Sequence, residues 1–196
     1  MELKKAQSVA VGICEYIKDY CEENKVHIAG SIRRQKHEPK DIEIVLLPKR
    51  IENMDIFGAV ISAPVTLDFK IHAENIGKVI KGNVNGRYMQ IELKQKIMLD
   101  LFIPVPTDFY RIFAIRTGSS MYAHNVIAGA WLALGWCGSD MGLRRQEDCK
   151  RIKEKSGKNK WICVNKNGEL PPVWKSEAEL FDWLRIKFVH PQMRVM

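Results

Sequence analysis

Two carboxylates one residue apart, Asp41 and Glu43 in the run DIEIVLL, are the residues in this sequence best spaced to do chemistry. On an extended strand, side chains two apart face the same way, so both would project from one side while Ile42 and Ile44 enter the core on the other. Like charges aimed at one place repel unless a cation lies between them. A third carboxylate, Asp100, interrupts the apolar run IMLDLFIP. A lone charge is costly to bury there, and pairing with a metal on an adjacent strand accounts for it. Three oxygen donors on neighbouring strands suit Mg²⁺ or Mn²⁺, hard cations that keep water and take phosphate oxygens as further ligands. Two such ions, ~3.5–4 Å apart, stabilise the attacking and leaving oxygens of an in-line displacement. Upstream, Gly30-Ser31 offers backbone N–H groups and a hydroxyl to a triphosphate, and Arg33 or Arg34 would neutralise the charge that develops there. The expected chemistry is nucleotidyl transfer. An Asp-x-Glu or a Gly-Ser alone is usually a solvated strand face or a plain turn; the ordered combination with Asp100 carries the reading.

These residues need strands and turns to hold them. Leu3, Ala6, Val9, Ala10, Ile13, Ile17 and Tyr20 fall at helical spacing, which predicts an amphipathic helix over 3 to 20 that ends near Asn24. Residues 26 to 29 read as a short buried strand delivering the chain to Gly30-Ser31, and 41 to 47 as a second strand stopped by Pro48. The polar stretch between them, 33 to 40, contains Pro39 and reads as a loop. Residues 60 to 71 form an extended apolar segment broken by Pro64, and 75 to 81 a short helix closed by Gly82. After the Asn85-Gly86 turn, 87 to 93 and 96 to 103 read as an antiparallel hairpin joined at Lys94-Gln95. Pro104 and Pro106 end it, placing a boundary at about residue 105. Beyond it, helices are expected over 119 to 134 and over 176 to 188, the latter opened by a Ser176–Glu179 capping box. Between them, a basic stretch from Arg144 to Lys160, then Trp161 to Val164 and an Asn167-Gly168 turn, suggests a small hairpin.

At 196 residues, 46% hydrophobic and 28% charged, the composition is that of a globular protein able to bury a real core. No apolar run approaches the ~20 residues needed to span a bilayer. The N-terminus alternates with helical period and lacks a small-residue cleavage site, so a signal peptide is not expected. Five cysteines without a C-x-x-C pair point to neither a zinc module nor a closed disulfide framework, which leaves reduced thiols as the expectation. A net charge of +8 favours a polyanionic partner.

The run GSIRR, followed by DIE, LDLF, TGS and finally SEAELFDWLRIKFVHP with Arg194, resembles the family X DNA polymerases, the DNA polymerase beta group of the nucleotidyltransferase superfamily. The spacing resembles most closely the minimal viral members that keep only the catalytic palm and the C-terminal subdomain. The resemblance implies an α+β fold. Over 1–105 it implies a nucleotidyltransferase palm, a mixed, mostly antiparallel sheet flanked by helices. Over 106–196 it implies a small helical subdomain with a β-hairpin that binds nucleotide and DNA. It further implies template-directed addition of deoxynucleotides in gap-filling repair, with two Mg²⁺ or Mn²⁺ ions per site. By the same analogy Asp41 and Glu43 bind both metals, and Asp100 binds the catalytic one and helps activate the primer 3′-hydroxyl. Gly30, Ser31 and Arg34 match the phosphate-binding motif, with Ser31 and Arg34 on the incoming triphosphate, and Thr117 and Gly118 match a Thr-Gly turn near its sugar. The implied partners are gapped or primer-template DNA and dNTP, with no membrane, and the implied state is a monomer. The implied location is cytoplasmic, in the host cell or with the virion if the chain is viral.

The sequence departs from the family's pattern at several positions. Glu43 stands where the family usually has Asp, adding a methylene and implying slower activity or a shift toward Mn²⁺. Ile115-Arg116 replaces an aromatic pair that precedes the Thr-Gly turn, and Ala123 and Ile127 replace an Asn and an Arg that contact the base pair. Two rivals follow. One is a template-independent nucleotidyltransferase acting on an RNA end, a protein or a small molecule; the other is a nucleic-acid-binding relative without turnover. Without larger DNA-gripping modules, phosphate tracking would fall to Lys94 and Lys96 in the first half and Lys153, Lys155, Lys158 and Lys160 in the second, although any one of these is more often a solvated surface lysine. His27 reads as a packed core residue and His124 as facing substrate less often than not. Trp131, Trp136, Trp161, Trp174 and Trp183 read mostly as core, with one free to stack on a base.

Overall fold

A computed structural model of the chain describes residues 1–58, 60–154, 157 and 159–195. Apolar residues at helical spacing form α1 (Leu3–Ile17), which buries Ala6, Ala10, Ile13 and Ile17. The helix is shorter than the 3-to-20 expectation because its end tightens into a 3₁₀ turn, Lys18–Tyr20. Strand β1 (Cys21–Ile28) therefore starts earlier than residue 26; Asn24, at φ 54, absorbs the irregularity in its pairing.

The strands of the first half are β2 (Asp41–Pro48), β3 (Asn53–Met54), β4 (Val60–Ser62), β5 (Lys78–Gly82), β6 (Tyr88–Glu92) and β7 (Met98–Phe102). Four of them join β1 in one five-stranded sheet, in the order β1-β2-β7-β6-β5, while β3 and β4 pair with each other as a separate ribbon. The β2–β7 pair is parallel and the other pairs in the five-stranded sheet are antiparallel.

Between β4 and β5 the sequence expectation is corrected. Residues 67 to 75 form a helix, α3 (Leu67–Asn75), capped by the Thr66 hydroxyl, which accepts from the Phe69 N–H; residues 78 to 82 form a strand. Phe69 and Ala73, one turn apart, are the buried pair that decides for helix. Strand β5 is exposed along its whole length and carries no alternation by which to recognise it.

Strand β2 is buried on both faces. Ile42, Ile44 and Leu46 join α1, Phe69 and Ala73 in the main core. Val45 and Leu47, on the face of Asp41 and Glu43, pack with Phe102, Phe109 and Phe113. Those last two aromatics belong to α4 (Phe109–Thr117), so this helix covers the later half of that face and leaves the carboxylate end of β2 open.

Beyond α4 the chain runs through α5 (Ser120–Tyr122), a π-helical stretch (Ala123–Ala128) and α6 (Gly129–Ala133), together the helix expected over 119 to 134. Instead of helices with one hairpin, the C-terminal half then builds a four-stranded mixed sheet from β8 (Trp136–Ser139), β9 (Gly142–Arg145), β10 (Cys149–Lys153) and β11 (Asn159–Cys163), in the order β10-β11-β8-β9. The outer strands β9 and β10 are separated by only residues 146–148, a span too short to cross a flat sheet with ease, so the sheet curls. Helix α7 (Glu177–Trp183) carries the expected Ser176 cap but stops short of residue 188, because Arg185 takes a left-handed conformation at φ 58. Trp131, Trp136 and Trp174 with Leu180 and Phe181 form the second core. The fold is thus α+β, with mixed sheets flanked by helices. Among the described residues no helix is long and apolar enough to cross a membrane.

One ionic relay joins the two halves. Glu177, 7% exposed, accepts from Arg194 Nη1 and Nη2 at 2.6 and 3.0 Å, and from Arg33 Nη1 and Nη2 at 3.0 and 2.9 Å. Arg33 also donates to Thr117 Oγ1 at 2.6 Å and lies over the Phe113 ring.

Candidate active site

Register brings the three carboxylates together. Glu43 on β2 is the direct partner of Asp100 on β7, and Asp41 lies two residues earlier on the same face. All three are half-buried. Asp100 is held from the next strand: Tyr88 Oη donates to its Oδ1 at 2.7 Å and Gln90 Nε2 donates to the same atom at 3.0 Å. One Asp100 oxygen is thereby occupied, and the other has no hydrogen-bond partner among the described residues. Burial first, and then hydrogen bonding to Asp100, push the Tyr88 hydroxyl up to about 12, so it remains a donor near neutrality.

Mutual repulsion marks the cluster electrostatically. Burial and then the neighbouring Asp41 charge push Glu43 up to about 7, against a partial pull downward from Arg116. Burial and then Asp100 also raise Asp41. Charges arranged in this way are relieved by an added cation. Among the described residues no group of three acidic, His or Cys side chains is gathered closely enough to hold a metal as it stands, so a cation would have to draw these carboxylates inward. In type the three oxygen donors fit a hard divalent ion.

Gly30 is required beside them. Its backbone has φ +62, and a Cβ there would lie 1.9 Å from Glu43 Oε2. The extra methylene of Glu43, relative to Asp, is accommodated against this bare glycine. What the sequence reads as a Gly-Ser turn is the start of a single helical turn, α2 (Gly30–Arg33). Its two arginines diverge. Arg33 is committed to Glu177, Thr117 and Phe113, which leaves Arg34 for the site. Arg34 Nη1 donates to the carbonyls of Thr117 and Gly118 at 2.6 and 3.1 Å, while its Nε and the Ser31 hydroxyl are buried without a partner among the described residues. Such polar atoms are costly to leave unpaired and point to an external acceptor.

Two cavities flank the carboxylates. One, of about 630 Å³, is walled by Ser31, Arg34, Asp41, Glu43, Gly118 and His124 among others. The second, of about 450 Å³, is walled by Glu43, Asp100, Tyr88, Lys81, Arg87 and Phe102 among others. Glu43, Arg111 and Arg116 line both. Arg116 stacks over Phe102 at 3.9 Å, and Arg111 is held in place by a buried ion pair with Asp108.

Most of the residues expected from sequence therefore gather here, with two exceptions. Thr117 is fully buried, its hydroxyl turned to Arg33, so that Gly118 alone of the Thr-Gly turn reaches the cavity wall. Gly30 lies beneath Glu43 and does not line the cavity walls. His27 packs on Phe113 with ring centroids 4.8 Å apart, as a core-type histidine. Lys94, Lys96, Lys153 and Lys160 are exposed, while Lys155 and Lys158 lie outside the described residues. The sequence reading misses Tyr88, Gln90, Lys81, Arg87 and Arg111. Tyr88 and Gln90 alternate on one strand face, but only the β6–β7 register shows that this face meets Asp100. No protein-family model matches the chain, and no curated protein matches it.

Proposed function

We propose that the chain is a DNA polymerase of the family X type, with residues 1–105 as its nucleotidyltransferase palm. The single observation that carries this reading is the juxtaposition of Asp41 and Glu43 with Asp100 across the parallel β2–β7 pair, with the unpartnered Ser31 hydroxyl and Arg34 Nε at the adjoining cavity. The larger cavity takes the incoming dNTP, and the smaller one, rimmed by Lys81 and Arg87, takes the primer end.

In this reading Ser31 and Arg34 bind the triphosphate through their free donors, in a partly dry site where such bonds are strong. Asp41, Glu43 and Asp100 hold two Mg²⁺ or Mn²⁺ ions, whose chemistry when bound is to neutralise the developing phosphoryl charge and polarise the attacking hydroxyl. The primer 3′-oxygen attacks the α-phosphorus, its bond to the β-phosphate bridging oxygen breaks, and pyrophosphate leaves. The 3′-hydroxyl proton passes to the free oxygen of Asp100, whose other oxygen is fixed by Tyr88 and Gln90.

The test is primer extension across a one-nucleotide gap, run with each dNTP and each metal in turn. Wild-type protein is expected to add the templated nucleotide, and Asp100→Asn to lose ~10²–10⁴-fold in rate. Absence of incorporation on every primer with either metal overturns the proposal. A second reading, a template-independent nucleotidyltransferase, is favoured by Arg116, which puts a guanidinium where the aromatic pair would stand and lines both cavities. Equal extension of single-stranded and templated primers, with rNTP used as readily as dNTP, would select it.

A further inference from the structure

Three of the five cysteines meet in the C-terminal sheet, in a place the proposed chemistry does not use. Cys149 on β10 and Cys163 on β11 are direct partners across an antiparallel pair. The type of pairing matters. The Val164 N–H donates to the Asp148 carbonyl at 2.8 Å, while the Cys163 N–H goes to Asp140 Oδ1 at 2.9 Å and the Cys149 N–H to the Gln146 carbonyl at 3.1 Å. Cys149 and Cys163 are therefore a non-hydrogen-bonded pair, the narrow kind, whose Cα atoms stand ~4.5 Å apart with their side chains close together. A disulfide spans Cα separations of ~4.4–6.8 Å, so the two sulfurs can join with little movement of either strand. The thiols are already within hydrogen-bonding reach: Cys149 interacts with both Cys163 and Cys137, the latter on β8, and Cys163 Sγ donates to the Asn165 carbonyl at 3.3 Å. Cys14 and Cys21, in α1 and β1, share no such register.

What the pair would fasten is a weakly anchored strand. Among the described residues β10 pairs with β11 alone, at the margin of the sheet, and it is exposed from Lys150 to Lys153. Its hairpin with β11 also repels itself, since residues 149–160 hold six Lys or Arg against one acidic residue. A covalent tie at the root of this hairpin offsets what packing and charge do not supply. Charge also selects the oxidant. An anionic low-molecular-weight disulfide, such as oxidised glutathione, is drawn to the basic hairpin. Cys149 is the thiol it reaches first, being half-buried where Cys137 and Cys163 are buried. Burial raises the Cys137 and Cys149 thiols above their ordinary value, so little thiolate is present near neutrality and exchange is slow.

We infer that Cys149 and Cys163 form a reversible cross-strand disulfide when the chain meets such an oxidant, fastening β10 to β11; this does not depend on the polymerase reading. The Cys149 thiolate attacks one sulfur of the glutathione disulfide and releases one glutathione thiolate. The Cys163 thiolate then attacks the Cys149 sulfur of the mixed disulfide and releases the second. The protein loses two protons and two electrons, and the oxidant takes them up as two glutathione thiols. The reduced thiols read from the sequence are the state before this exchange.

Peptide mapping of the whole wild-type chain after prolonged incubation with oxidised glutathione tests this, and does not depend on any variant folding. Tryptic peptides 146–150 and 161–166, which carry Cys149 and Cys163, are expected to run as one linked species that a dithiol reductant separates. Cys137→Ser is expected to keep the link and Cys149→Ser to lose it. The oxidised chain is expected to melt higher than the reduced one by roughly 5–10 °C, as closure of a ~15-residue loop gives. A link from Cys149 to peptide 117–144, which carries Cys137, overturns the inference. So does a lasting glutathione adduct on Cys149, or wild-type protein whose Cys149 and Cys163 stay reduced. An oxidised chain that melts no higher than the reduced one overturns the fastening of β10.

Discussion

Two glutamates, both withdrawn from water, are treated in opposite ways by this fold. Glu177, at the junction of the halves, is pushed up by burial but pulled down further by Arg194 and Arg33, ending below its ordinary value. Glu43, among Asp41 and Asp100, is pushed up to about 7. The first has its counter-charges built into the chain at hydrogen-bond distance; the second has only the partial pull of Arg116 against its acidic neighbours. A carboxylate saturated by two arginines is a structural joint, while one set among other carboxylates is, in the proposed reading, where a cation would bind, and burial alone does not distinguish them.

The comparison can be broken at either end. The largest expected effect is at the joint: Glu177→Gln leaves the buried Arg194 and the half-buried Arg33 without their charge partner, at a cost of about 3–5 kcal/mol. Thermal melting should fall by roughly 10 °C for a chain of this size. A melting point within a degree or so of wild type would show that the relay is dispensable.

Next in size is a pH effect of opposite sign at the two glutamates. Because Glu43 is raised above its ordinary 4.5, its contribution to metal-free stability is fully present below that value and lost as pH rises through about 7. Glu177 is lowered, so its contribution is present above the ordinary carboxylate value and lost only as pH falls through its depressed pKa. In metal-free buffer, Glu43→Gln should therefore melt higher than wild type at about pH 8 and nearly level with it at about pH 5, and Mn²⁺ should close the gap at the higher pH. Parallel melting curves for the two proteins across that window would contradict the assignment.

The smallest effect sharpens how Glu43 fits. Gly30→Ala forces a methyl toward Glu43 at a left-handed position and should cost about 1–3 kcal/mol. Adding Glu43→Asp withdraws the carboxylate and should recover part of that loss, a coupling of about 0.5–1 kcal/mol in the double-mutant cycle. Strict additivity of the two melting shifts would place the strain in the backbone alone.

The sequence made the carboxylates legible because their signals are local. Asp41 and Glu43 alternate with buried isoleucines, and Asp100 is an anomalous charge within an apolar run. What depends on register or on distant partners was not legible. Arg33 and Arg34 are interchangeable in sequence, yet on a helical turn they point ~100° apart, and Glu177, 144 residues away, claims one of them. Tyr88 and Gln90 acquire meaning only from the strand opposite. Thr66 is a cap legible in sequence for α3, whereas β5 offers no alternation at all. The C-terminal sheet shows in sequence only as a hairpin because β8 and β9 are four residues each, interrupted by Gly and Arg.

The relay through Glu177 also sets an order of events during synthesis. Arg33 emerges well before the residues that fix it: Arg194 comes 161 positions later, and its Nε is itself anchored on the Val189 carbonyl. A nascent chain on the ribosome can build the five-stranded sheet and bury its core while the turn bearing Ser31 and Arg34 still lacks its clamp. The turn bearing Ser31 and Arg34 is thus locked only after Arg194 has emerged, and a chain cut before Arg194 would fold its scaffold without that clamp.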